Sequence, residues 1–236
     1  MDDAKDAPGK AARSHIVIAI DGPAGSGKST LAALLARRYG YINIETGAMY
    51  RALALKALAC GTPDDSASLA ALARDSRIQL EPRPEGNRVL LDGVDVTVRI
   101  RESDITEAAS RVSVHPPVRQ WMVERQREMG SAGGVVMEGR DIGTKVFPDA
   151  EVKIFLDAAP EVRGNRRFLQ NPEATTQEAS VLAELRARDE RDRTRVNSPL
   201  VPAADATVID STKLTLEQVA AQAIAVIDER LSRGGK

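Results

Sequence analysis

A chain of 236 residues, 42% apolar and 28% charged, is long enough for one sizeable α/β domain with insertions and has ordinary globular composition. Its formal net charge of −1 leaves no global basic field to hold a nucleic-acid polymer, although 25 arginines stand beside 8 lysines and planar guanidinium suits phosphate. One cysteine, Cys60, excludes an intramolecular disulfide or a cysteine-based metal cage and fits a reducing cytoplasm, and no apolar run is long enough to span a bilayer.

Residues 1–14 are polar, of mixed charge and without an apolar stretch, which predicts a disordered tail. His15 to Ile20 is apolar and β-branched, the pattern of a buried strand. The chain then reads Asp21-Gly22-Pro23-Ala24-Gly25-Ser26-Gly27-Lys28-Ser29-Thr30 and enters a helix predicted over 28–39, with Leu31, Leu34 and Leu35 on one face and Gly40 at its cap. The spacing G-x-x-x-x-G-K-[ST] between a strand and a helix is that of a P-loop. Gly22, Gly25 and Gly27 let the backbone curl so that its N–H groups meet phosphate oxygens, with Pro23, Ala24, Ser26 and Thr30 completing the cradle. Lys28 is expected to reach the β- and γ-phosphates, and the Ser29 hydroxyl to ligate Mg²⁺.

Further along, the pattern predicts a short strand over 41–44, a helix over 47–60 ended by Gly61, and a helix over 66–75. Alternating runs at 77–80, 88–91 and 94–100, punctuated by Pro82, Pro84, Gly86 and an Asp92-Gly93 hairpin signal, predict a small antiparallel β element. Helices over 103–114 and 116–129 follow, the second with Val118, Trp121, Met122, Arg125 and Met129 on one face. Strands are predicted at 135–138, 151–157 and 207–210, a flexible loop at 171–177, and a last helix from Thr215 with Gln218 placed for a capping box. Strands alternating with helices at both ends give an α/β fold, a five-stranded parallel sheet flanked by helices. Residues 15–45 and 116–232 would form the core, residues 46–115 an inserted substrate lobe, and a short helical lid would lie within about 186–197.

Three further features bear on what is done with the nucleotide. Glu45-Thr46-Gly47-Ala48-Met49-Tyr50-Arg51 carries a strand end into a helix, so Arg51 can point back to the carboxyl edge of the sheet, where open α/β sheets bind ligands. Glu138-Gly139-Arg140-Asp141-Ile142-Gly143-Thr144 follows a strand, with Glu138 where an acid near Mg²⁺ usually stands. The run Arg186 to Arg195 puts Arg188, Asp192 and Arg195 on one helix face with Arg191 beside them. That run suits either a solvated helix laced with ion pairs or a lid closing over transferring phosphate. An N-K-x-D base reader is absent, which removes GTPases. Another small-molecule P-loop kinase, or an ATP-binding regulatory module without turnover, stays open on these residues alone.

Taken in order, DGPAGSGKST, ETGAMYRA, EGRDIGTKVFPDAEVKIFLDA, RDERDRTR and PLVPAADATVIDST resemble bacterial cytidylate kinases over nearly all of His15 to Leu231. The resemblance implies a P-loop kinase fold with an inserted monophosphate-binding lobe and a helical lid. It implies Mg²⁺-dependent transfer of the γ-phosphoryl group of ATP to CMP and dCMP. The net charge, the single cysteine and the lack of a membrane-length apolar run or an exposed apolar stripe predict a cytoplasmic monomer with no nucleic-acid polymer or membrane partner. Carried over residue by residue, Thr46, Arg51, Arg140 and Arg195 would hold the acceptor phosphate, and Arg188 and Asp192 would meet the ribose. Ser110, Arg119 and Asp141 would read the cytosine edge. Lys28, Arg140, Arg188 and Arg195 would stabilise the transferring group, with Ser29 and Glu138 at the metal. Two departures from the family pattern, Glu45 for the usual Asp and Lys145 for a small or apolar residue, are expected to leave chemistry-bearing positions untouched.

Overall fold

A computed structural model describes residues 15–62, 64–83, 86–169 and 178–234. The tail expected over 1–14 and the loop expected over 171–177 lie outside the described residues. The central sheet contains β1 (Val17–Asp21), β2 (Ile42–Glu45), β6 (Val135–Gly139), β7 (Val152–Asp157) and β8 (Thr207–Asp210), in the order β2-β6-β1-β7-β8. All pairings are parallel, with Ile18 level with Val136 on one side and Val152 on the other. Helix α1 (Lys28–Tyr39) follows β1 and ends at Gly40, whose φ of 68° is left-handed.

Both faces of this sheet are covered, which is why its central strands read as continuous apolar runs rather than as alternating ones. Ile18 and Ile20 of β1 pack with Leu31 and Leu35 of α1 and with Val219, Ala223 and Ile227 of α8 (Leu216–Gly234). The intervening Val17 and Ala19 face the other way, onto Val135, Met137, Ile142, Val146 and Phe147. Full burial of such a side chain stabilises the fold by roughly 1.5–3 kcal/mol relative to exposure.

A second core lies in the segment between β2 and β6. It joins α2 (Thr46–Ala59), α3 (Ser66–Arg74) and α4 (Ser103–Val112) through Met49, Leu53, Leu69, Ile105 and Val112. Val118 and Met122 of α5 (Pro116–Gly130) enter the same cluster. Strands β3 (Ile78–Glu81), β4 (Arg88–Leu91) and β5 (Val94–Asp95) form an antiparallel sheet over it. Asp92 and Gly93 have φ of 51° and 85°, the two left-handed residues that a two-residue hairpin of this twist requires.

The structure corrects three expectations. The run 94–100 is a strand only as far as Asp95, because the Asp95 carboxylate accepts from the Thr97 N–H and hydroxyl and turns the chain into a 3₁₀ turn over Arg99–Arg101. Helix α5 buries Val118, Arg119, Met122, Gln126 and Gly130, whereas Arg125 is exposed. Arg119 joins the buried face through its ion pair with Asp141, and Gly130 abuts the Phe147 ring. Helix α6 (Pro160–Leu169) was not anticipated, since its charged sequence carries little apolar period; with α7 (Glu178–Thr194) it packs beside the P-loop. Among the described residues no helix is long and apolar enough to cross a membrane.

The expected capping box at α8 is present: the Thr215 N–H donates to Gln218 Oε1 at 2.9 Å, and the Gln218 N–H to Thr215 Oγ1 at 3.3 Å. Thr215→Ala removes one of these acceptors and should lower unfolding stability by about 1 kcal/mol in a urea titration. An unchanged midpoint would show that solvent replaces the cap at no cost.

Candidate active site

The P-loop follows β1 at the carboxyl edge of the sheet, and its shape is held from outside. Lys28 Nζ donates to the Pro23 carbonyl at 2.7 Å, Arg163 to the Ala24 carbonyl at 3.0 Å, and Arg166 and the Ser211 hydroxyl to the Ser26 carbonyl at 3.4 and 3.3 Å. In a trans peptide the carbonyl and the following N–H point in opposite directions, so anchoring these carbonyls in protein turns the next N–H groups toward the hollow of the loop. Gly22 has a φ of 148°, and a Cβ there would fall 2.0 Å from the Leu156 carbonyl oxygen, so only glycine lets the loop lie this close to β7. Helix α1 opens at Gly27, also left-handed, with no side-chain cap and no acidic residue in its first turn. Its N-terminal N–H groups and dipole are thus left for an anion.

Lys28 is buried, and its ammonium meets both signs of charge. Burial, then the Arg140 charge, pull its pKa down to about 7, against the opposing field of Glu138. Glu138, at the end of β6, accepts from the Ser29 hydroxyl at 2.6 Å, and burial raises its carboxyl despite Lys28. Ser29 Oγ and the Glu138 carboxylate are hard oxygen donors side by side at the loop, a set that fits Mg²⁺, which takes few protein ligands and keeps water and phosphate oxygens. Among the described residues no group of three acidic, histidine or cysteine side chains could hold a metal alone. Thr30 is exposed on the first turn of α1.

The second half of the cleft is a nest of arginines. Arg51 pairs with Glu45, Arg140 Nε with Asp192 Oδ2 at 3.1 Å, and Arg195 with Asp192 Oδ1 at 3.5 Å. Arg188 keeps partial solvent access, yet burial and the like charges of Arg140, Arg51 and Arg167 lower its pKa to about 10. Asp192 is the counterweight: burial pushes its carboxyl up, but Arg140, Arg188 and Arg195 together hold it below the usual range. The buried Arg51 Nε, Arg188 Nε and Arg195 Nη2 have no hydrogen-bond partner. Cations crowded together with unused donors form an anion receptor. Thr46 sits at its edge, its hydroxyl donating to the Glu138 carbonyl at 2.8 Å. A Cβ on Gly139 would fall 2.7 Å from that hydroxyl, so glycine permits the approach.

Beside this nest is a smaller polar pocket. Arg119 Nη2 donates to Asp141 Oδ2 at 2.5 Å and Nη1 to the Ser113 carbonyl at 3.1 Å, while the Arg119 guanidinium lies 5.7 Å from the centre of the Tyr50 ring. Ser110 Oγ, also buried, accepts from Arg191 Nε at 3.1 Å. Asp141, Arg119 and Ser110, drawn from three separate segments, thus converge with Arg191. Nearby, Arg191, Arg195, Val114 and Pro116 help line a cavity of about 390 Å³.

The structure therefore gathers the sequence-selected residues into two neighbouring groups, and adds others. Glu45 corrects an expectation, because the longer acid is the ion-pair partner of Arg51 at the site; Lys145 is exposed. Arg167 joins the field on Arg188, and was missed because α6 was missed. Asp21, placed one residue before the P-loop, accepts from the Ile142 and Gly143 N–H groups at 2.8 and 2.7 Å and so fixes the single π-turn (Ile142–Val146) that follows Arg140 and Asp141. Burial raises its pKa to about 6. Its place in D-G-P-A-G was a signal that went unread.

The low Lys28 pKa has a signed consequence. Above pH 7 the neutral amine is favoured in the free site, and an arriving phosphate chain restores the ammonium. ATP is already fully ionised at pH 8, so its binding there should take up as much as about one proton, falling away below pH 6. Titration calorimetry at pH 8 in two buffers of different ionisation enthalpy measures this, with Lys28→Met expected to abolish it. Identical heats in both buffers would contradict the assignment.

Comparison with known proteins gives this geometry a family. The family model described as cytidylate kinase matches residues 18–229. The chain is 49% identical to a cytidylate kinase of Citrifermentans bemidjiense, covering 94% of this chain and 96% of that one. It is 48% identical to a cytidylate kinase of Geobacillus thermodenitrificans, covering 92% and 98%. A crystal structure of an uncharacterized protein from Eubacterium ventriosum shares the fold, with a TM-score of 0.51 at 15% identity over 91% of this chain and 99% of that one. A P-loop facing an arginine nest on one sheet edge, in a chain matched along almost its whole described length, belongs to the cytidylate kinase family.

Proposed function

We propose that this chain transfers the γ-phosphoryl group of ATP to CMP and dCMP, giving ADP and the corresponding diphosphate. The observation that carries this reading is the second anion receptor. Arg51, Arg188 and Arg195 keep unused donors beside the P-loop, with Arg140 among them, and a phosphorylated acceptor brings the second phosphate that would engage them.

In this reading Thr46, Arg51, Arg140 and Arg195 hold the acceptor phosphate, and Arg188 and Asp192 lie along the ribose. An oxygen of the acceptor phosphate attacks the γ-phosphorus, the β–γ bridging bond breaks, and ADP leaves with the bonding electrons. The attacking oxygen is already an anion, so no protein group removes a proton. Lys28, Arg140, Arg188 and Arg195 stabilise charge on the transferring group. Ser29, with Glu138 close by, would hold Mg²⁺, which would supply positive charge to the donor phosphates. Asp141 accepts from the cytosine amino group, while Arg119 and Ser110 serve its acceptor edge. A reducing cytoplasm suits nucleotide substrates and the exposed Cys60 thiol. A monomer suffices, because every residue placed in the two sites comes from one chain.

Arg188→Ala removes a preorganised charge from the transferring group. It should lower kcat by ~10²–10³, about 3–4 kcal/mol, whereas a solvated ion-pair residue contributes only ~0–1 kcal/mol. A kcat within threefold of wild type would return the Arg186–Arg195 run to a solvated face.

Base choice gives a second test. UMP presents a carbonyl where CMP presents an amine, so Asp141 loses its partner, although uracil can offer N3–H to the same carboxylate and soften the penalty. Asp141→Ala should depress kcat/KM for CMP far more than for UMP and bring the two values together. A mutant that keeps its full preference for CMP would move base reading elsewhere.

A further inference from the structure

The P-loop and the arginine-bearing helix α7 are joined by a side chain that neither phosphate site uses. Arg163 of α6 is 1% exposed. Its Nε donates to the Ala158 carbonyl just beyond β7 at 2.8 Å, Nη1 to the Ala24 carbonyl within the P-loop at 3.0 Å, and Nη2 pairs with Asp189 Oδ2 of α7 at 2.6 Å. All three edges of the guanidinium fork are committed, each to a different part of the chain. Asp189 is itself buried and directly follows Arg188, one turn before Asp192. The P-loop rests on the same helix so closely that a Cβ on Gly25 would lie 3.1 Å from both the Cβ and the carbonyl oxygen of Arg163.

Stability does not by itself call for such an arrangement. Removing two charges from water is costly, and apolar residues of similar volume can often replace a buried ion pair without loss of stability. A lysine could not serve either, since one ammonium cannot meet three acceptors set in the plane of a fork. What the fork does supply is a fixed distance between the donor loop and the helix carrying Arg188 and Asp192.

We propose that Arg163 is a positioning residue: through Ala24 and Asp189 it sets helix α7 at a defined distance from the P-loop, so that Arg188 stands where the two phosphate groups meet in line and Asp192 lies along the ribose. This rests on the reading of the cleft as two facing phosphate sites. Arg163 touches no substrate in it.

The test compares Asp189→Glu, which keeps the charge pair but lengthens the tether by one methylene, with the double variant Arg163→Met/Asp189→Leu, which replaces the pair by apolar side chains. Each is followed by circular dichroism melting and by kcat and KM for ATP and CMP. Both should melt cooperatively near the wild-type temperature, with kcat lowered about 10–100-fold and both KM values within about threefold, the signature of misplaced rather than missing groups. A merely structural pair would give a folded double variant with wild-type kcat, which overturns the proposal. Should the double variant fail to fold, Asp189→Glu decides: a kcat within about threefold of wild type shows that tether length is irrelevant. Arg188→Ala assayed alongside separates the two levels. If Arg188→Ala is severely impaired while the tether variants are not, the tether fails alone; if Arg188→Ala is also active, the two-site reading fails with it.

Discussion

Lys28, Arg51, Arg140, Arg167 and Arg188 repel one another within one cleft, and the rest of the structure answers that repulsion. Two like charges about 6 Å apart repel by roughly 3 kcal/mol at an effective dielectric constant of 20. Burial compounds the cost, as the lowered Lys28 and Arg188 pKa values record. Asp192, Glu138 and Glu45 relieve part of it through ion pairs and fields, but several guanidinium nitrogens keep no partner. The unrelieved part is a standing attraction for anions. Phosphate groups of the nucleotides supply the missing counter-charge, and the preorganised cations need not reorient as charge shifts during transfer.

Holding such a cleft open to phosphate but closed to collapse falls to the scaffold. The parallel sheet, buried on both faces, presents β1 and β6 side by side with their carboxyl ends level, so the P-loop and the Glu138–Asp141 segment begin from neighbouring rigid points. Asp21 ties those two segments with two backbone hydrogen bonds. Arg163 and Arg166 do the equivalent on the other side, anchoring P-loop carbonyls to α6. The segment between β2 and β6 draws on a separate hydrophobic core, so α2 and α4 carry Arg51 and Ser110 without disturbing the sheet.

Much of this was legible in the sequence, for identifiable reasons. Strands buried on both faces leave continuous apolar runs, α1 has a clean period ended by Gly40, and the P-loop spacing has few other uses. The arginine-rich run stands out because its charges exceed what local pairing neutralises, and the Asp92-Gly93 signal named its own turn. The failures share a cause: polar side chains doing buried work. Arg119 and Gln126 are buried on α5 beside Val118 and Met122, the Asp95 carboxylate stops a strand after two residues, and Arg163 and Arg166 of α6 find partners as distant as Ala24, Asp189 and Ser211. Hydrophobic periodicity carries no information about such contacts. Glu45 was passed over similarly, as a substitution of one acid for another, when its extra methylene sits in the ion pair with Arg51.

The central claim is that two phosphate-binding sites face each other for direct transfer between nucleotides. The measurement that addresses it is the stoichiometry of products from the wild-type chain with ATP and Mg²⁺, quantified by chromatography with and without CMP. The account predicts ADP and CDP in equal amounts when CMP is present, and negligible ADP when it is left out. ADP formed at the same rate without CMP, or matched equally well by AMP as acceptor, would contradict it.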